Sequence, residues 1–97
     1  MLERLTLETF AEHVGTAFAL DAGDRTVPLE LVEATALPAD PADRGRAPFS
    51  LEFLGPADPA YAQATVPLTH DVLGRLEIFI VPIARDEHGT RYQAVFT

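Results

Sequence analysis

The residues best suited to chemistry stand in two short polar stretches on either side of one apolar run. His70-Asp71 precedes the run and Asp86-Glu87-His88 follows it. Imidazole and carboxylate side chains from neighbouring loops form the usual nitrogen and oxygen ligand set of zinc and iron. The chain from Arg75 to Arg85, if extended, holds the two stretches about 30 Å apart, so they cannot share one ion. A metal site would need His13, the third histidine, to come near one of the loops. His13 reads more simply as a residue near a helix C-terminus, where a cation is favoured, and His88-Gly89 as turn chemistry. His70, Asp71 and His88 stand as a candidate ligand loop, and no bound metal is expected.

Other catalytic devices find no support. Ser50 is the only serine; it sits mid-strand between Phe49 and Leu51, with no Gly-x-Ser-x-Gly turn to present it. The chain has no cysteine, hence no disulfide, thiol nucleophile or thiolate ligand. No two of the six glycines are closer than eight residues, so a glycine-rich phosphate cradle is absent. Carboxylate pairs occur everywhere in so acidic a chain and carry no information. The expectation is a protein that is not an enzyme, with no catalytic residue and no cofactor.

The elements that position these residues read as β-rich. Leu76 to Ile83 is the most apolar and β-branched run, and from Ile78 to Ile83 every position is apolar. Such a strand is expected to be covered on both faces. Phe79, Val81 and Ile83 form one row of it and Ile78 and Ile80 the other. The one visible cover for the second face is a short N-terminal helix with Leu7, Phe10, Ala11 and Val14 at i, i+3, i+4, i+7. Thr6 caps that helix, Thr9 with Glu12 offers an alternative capping box, and Gly15 ends it. The helix is too short to cover the whole row, so an apolar partner-contact patch is expected near Val81 and Ile83.

Thr16 to Leu20 reads as a first strand and Val27, Leu29 and Leu31 as the inward row of a second. The alternation slips at Leu31-Val32, and a β-bulge near Val32 restores the phase, turning Ala34 and Ala36 inward. Pro38 to Pro48 is a surface loop rich in proline and charge. Phe49, Leu51 and Phe53 alternate cleanly with Ser50 and Glu52, Thr65 to Thr69 forms a short strand, and a closing hairpin ends on Tyr92, Ala94 and Phe96. Val27-Pro28-Leu29, Val66-Pro67-Leu68 and Val81-Pro82-Ile83 each place a proline in or at the start of a strand. These prolines read as a means of blunting sheet edges. The fold expected is mainly β: a small antiparallel barrel or sandwich of about six strands with one short N-terminal helix. Residues 1–97 form one domain.

Composition narrows the partners. The net charge is −8, with seven arginines and no lysine. No basic stripe can be assembled to displace counterions from nucleic acid, and anionic membrane surfaces are disfavoured for the same reason. No apolar run approaches the ~20 residues of a membrane span. The N-terminal residues carry acids where a signal peptide has a basic region, so a cytoplasmic protein is expected.

The segments Leu7-x-x-Phe10-x-x-x-x-Gly15, Phe49-Ser50-Leu51-x-Phe53-x-Gly55 and His70-x-x-Leu73-Gly74-x-Leu76-x-Ile78-Phe79-x-x-Pro82, with Tyr92-x-Ala94-x-Phe96, resemble a family of small bacterial proteins of unknown function. Ile78 stands where the pattern often has leucine. The resemblance covers nearly the whole chain outside the Pro38–Arg46 loop. Members are often encoded beside phage-tail-collar (microcystin-dependent-like) proteins, which implies an accessory or assembly partner of a fibre or tail-like structure. The family has no assigned activity, so no catalytic role carries over; its matched positions are mainly glycines and core aromatics, with His70 a polar exception. The function expected is a non-catalytic protein-binding or assembly module, with the oligomeric state left open. The alternative is a small enzyme or ligand-binding barrel working around His70 or His88.

Overall fold

The computed structural model describes residues 5–38 and 47–96. Helix α1 (Leu7–Ala11) is followed by β1 (Ala17–Asp21), β2 (Thr26–Ala36), β3 (Phe49–Gly55), β4 (Ala64–His70), β5 (Gly74–Asp86) and β6 (Gly89–Phe96). The strands close into an antiparallel barrel in the order β1-β2-β3-β6-β5-β4. The expected fold class is the one observed, as a barrel and not a sandwich.

Period-2 alternation sets the inside of the barrel. Phe18 and Leu20 of β1 face in opposite Leu29 and Val27 of β2, and Phe53 of β3 faces in between Leu31 and Tyr92. Phe49, Leu51, Phe53, Leu68, Ile78 and Ile80 are all buried. The slip at Val32 is a β-bulge, since the β2–β3 register shifts between Leu31 and Glu33. It turns Ala34 onto the core, but Ala36, at the end of β2, stays exposed. The Pro38–Pro48 loop lies outside the described residues between 39 and 46. Its ends are tied by the Leu37 N–H donating to the Pro48 carbonyl at 3.0 Å.

The helix does not lie on β5. It closes one end of the barrel, where Phe10 is buried with its ring 5.6–6.5 Å from those of Phe18, Phe49 and Phe96. Thr6 caps it with Thr9 in a reciprocal box, so the pairing of Thr9 with Glu12 is not the one used. The helix ends at Ala11, leaving Val14 exposed in the following turn and Gly15 at φ 95°.

With the helix at the barrel mouth, one face of β5 is uncovered. Ile78 and Ile80 point inward, whereas Phe79 is 52% and Ile83 46% exposed. The expectation that both faces would be covered is therefore overturned. A closed sheet has one interior, and a five-residue helix, ~7.5 Å long at 1.5 Å per residue, is too short to provide a second.

The prolines also act differently from the edge-blunting expected, because closure leaves the paired strands without lateral edges. Leu31 exchanges hydrogen bonds with Gly15 and Thr16 on the β1 side. By alternation Pro28 faces the other side, beyond Glu30↔Leu54, the last β2–β3 pair. Its missing donor costs no ladder bond there. Pro82 adjoins the second bulge, where the β5–β6 register shifts between Pro82 and Ala84, a position that tolerates proline.

Phe53 touches the middle of this core, so Phe53→Ala is expected to cost about 3–5 kcal/mol. Urea denaturation of the two proteins measures it; a difference under about 1 kcal/mol would show that the inward row is not the core.

Candidate functional site

The candidate site residues fall into three places. His88 is at the tip of the β5–β6 hairpin, exposed, with its backbone N–H donating to Asp86 Oδ1 at 2.8 Å and its ring 3.8 Å from Glu87. Asp71 is exposed in the β4–β5 turn. His70, at the end of β4, points into the barrel mouth and is only 6% exposed. His70 pairs with Gly74 at one end of the 13-residue strand β5, and the His88 hairpin closes the other end. The two loops do not meet.

His70 meets His13 instead. Their ring centroids lie 4.6 Å apart, and the Phe18 ring packs on His70 at 4.5 Å. His70 Nδ1 accepts the backbone N–H of Val72 at 3.0 Å and of Leu73 at 3.2 Å. Nε2 lies 3.0 Å from Thr16 Oγ1, whose own proton goes to the His13 carbonyl at 2.6 Å. Two donors already occupy Nδ1, and the Thr16 hydroxyl proton is committed elsewhere. The network therefore assigns the neutral ring with the proton on Nε2, donated to Thr16. Burial holds the His70 pKa below the ordinary histidine value; His13 adds to that effect and Asp71 opposes it.

Neither His70 nitrogen has a lone pair free for a metal. Among the described residues no three histidine or acidic side chains cluster closely enough to hold an ion. His70 works as a structural staple that binds the β4–β5 turn to the turn after α1. Thr16, the third member, was missed in the sequence because a threonine at the start of a strand looks like any other. Only barrel closure brings it to a residue 54 positions away.

The expected contact residues lie on the outer face. Ile83 is the extra residue of the β5 bulge and is exposed, while Val81 is half-buried opposite Gln93 of β6. Two residues further along each strand, Phe79 and Val95 continue that outward row, at 52% and 51% exposure. Val95 was missed as a member, although its alternation with Ala94 and Phe96 marks it as outward. Its neighbour on β3, Ser50, is in the outward row yet buried, and so is not presented for catalysis.

A shallow open groove of about 410 Å³ lies elsewhere on the barrel, between Gly15, Ala17, Pro28, Glu30, Leu54, Gly55, Pro56 and His88. Among the described residues, Glu30 and His88 are its ionisable lining groups.

Removing the staple leaves two backbone donors and a hydroxyl without their partner. His70→Ala is therefore expected to cost about 1–3 kcal/mol, and His88→Ala less than about 0.5 kcal/mol. Chemical denaturation of the two variants compares them, and equal losses would refute the staple. Because both His70 nitrogens are engaged, a chelator is expected to leave the melting temperature unchanged. One equivalent of zinc or iron found by elemental analysis would contradict this.

Comparison with curated proteins and with solved structures gives no match. Among the described residues no helix is long and apolar enough to cross a membrane. Of the positions in the sequence pattern, Phe10 lies in the barrel mouth, Phe49, Leu51 and Phe53 in its core and His70 in the staple, whereas Phe79 and Pro82 are exposed. Residues 5–96 match one family along nearly the whole chain, and the protein belongs to that family, DUF6916, a domain of unknown function.

Proposed function

We propose that the chain is a non-catalytic protein-binding or assembly module whose contact surface is the outer face of β5 and β6. The observation that carries this reading is the exposed row of Phe79, Ile83 and Val95 around half-buried Val81. Neighbouring large apolar side chains on a regular sheet are unfavourable to leave in water, and a patch of this kind rimmed by polar groups suits a protein partner. The rim here carries Thr65, Gln93 and the ion pairs Arg75–Glu77 and Arg91–Glu52. Closure of the barrel leaves side chains, not backbone edges, to make the contact.

The partner class proposed, from the resemblance of the sequence pattern, is a tail-collar-type protein of a fibre or tail-like assembly. The location proposed is the cytoplasm, with which a chain without cysteine is compatible. An enzyme or ligand-binding barrel at His70 or His88 has less support. His70 is consumed by the staple, His88 is on a solvated hairpin, and the groove beside His88 is shallow with few convergent polar groups.

Ile83→Glu separates the alternatives. It is expected to keep stability within about 0.5 kcal/mol of the parent and to abolish co-purification with the host's tail-collar-type protein. An unfolded variant would mean that the row is core; undiminished co-purification would remove this face from the interface.

A further inference from the structure

We propose that His70 is an acid-operated latch on the β4–β5 turn, whose protonation at Nδ1 frees the turn from the barrel mouth. The geometry carries this independently of the outer-face contact. Nδ1 is the single acceptor for two successive backbone amides, Val72 and Leu73. A proton placed there sets three donors against one another, and both turn bonds are lost in one step. The ring has nowhere to turn in place, since Phe18 packs on it at 4.5 Å and His13 at 4.6 Å. It must leave its site, and leaving breaks the bond to Thr16 that joins the turn after α1 to the latch.

What the latch covers is apolar. Leu73 packs on the core beneath the turn, and Phe18 lies between His70 and Phe10. Opening the turn therefore wets the aromatic mouth of the barrel while the β3 and β6 ladder, remote from His70 in register, stays paired.

The charged groups that act on His70 among the described residues are His13, from the turn after α1, and Asp71, in its own turn; Thr16 and Phe18 of the β1 segment are neutral. Burial and His13 lower the His70 pKa in the folded chain, so its contribution is complete above the unfolded value of about 6.5. That contribution is lost as pH falls from there through the folded value. Positive charge on His13 opposes protonation of His70, adding to the larger effect of burial, while Asp71 favours it.

Amide exchange followed by NMR from pH 7.5 to 5, corrected for intrinsic rates, tests the latch. Protection at Val72 and Leu73 is expected to fall at least about tenfold, as the loss of their bonds to Nδ1 implies, while Leu51 and Phe53 keep theirs. The fall must coincide with the titration of the His70 ring proton. His70→Asn supplies an Oδ1 that accepts the same amides but does not titrate, and is expected to abolish the pH dependence. His13→Gln is expected to move the midpoint to higher pH. Protection that persists at pH 5, or that falls together at Leu51 and Phe53, overturns the latch. So does a loss that fails to track the His70 ring, a readout that needs no variant.

Discussion

Closure of the sheet is the constraint on which everything else in this molecule rests. Six strands joined edge to edge have one interior, and each strand can put only alternate residues into it. The interior is filled by Phe18, Leu29, Phe49, Leu51, Phe53, Ile80 and Tyr92, and Phe10 plugs one mouth. Tyr92 also reaches the loop before β4, its hydroxyl accepting the Tyr61 N–H at 2.9 Å. The two bulges let strands of unequal length follow the curve, and Ile83 is the extra residue of the second.

Closure also explains why two polar loops that look alike in composition have different fates. The β4–β5 turn is folded over a barrel mouth that α1 and its following turn also occupy, so His70 is buried and every polar atom on its ring is used. The β5–β6 hairpin ends in solvent, where the His88 ring lies beside Glu87 at the rim of the open groove. Gly89, behind it, has φ 143° and lies so close to the Gly55 carbonyl that a side chain would collide with it. The hairpin is thus held by backbone approach, beside the bonds that Arg85 and Thr90 donate to the Ala57 carbonyl.

The surface has the same origin. An apolar strand with one buried row must present its other row to solvent unless something lies on top of it. Nothing among the described residues covers Phe79 and Ile83. The four described arginines each face a carboxylate of the same chain, at 3.3–4.0 Å. The remaining carboxylates carry the chain's net charge of −8.

The strands were largely legible from residues alone. Alternation in Phe49-Leu51-Phe53 and Tyr92-Ala94-Phe96 specifies an inward row whatever the partners are, and the slip at Leu31-Val32 marked a bulge before any neighbour was known. Thr6 and Gly15 likewise marked the helix and its turn, because capping and positive φ are local matters. Three things depended on the tertiary structure. An all-apolar strand has the same sequence whether one face or two are covered, so only the position of α1 exposed Phe79 and Ile83. A histidine near a carboxylate looks like a ligand until its lone pair is seen to hold Val72 and Leu73. Thr16, His13 and His70 form one network because the barrel joins β1 to β4 across the ends of the chain order. Periodicity along a strand is a property of the strand itself, whereas closure, burial and hydrogen-bond partners belong to the whole assembly of strands.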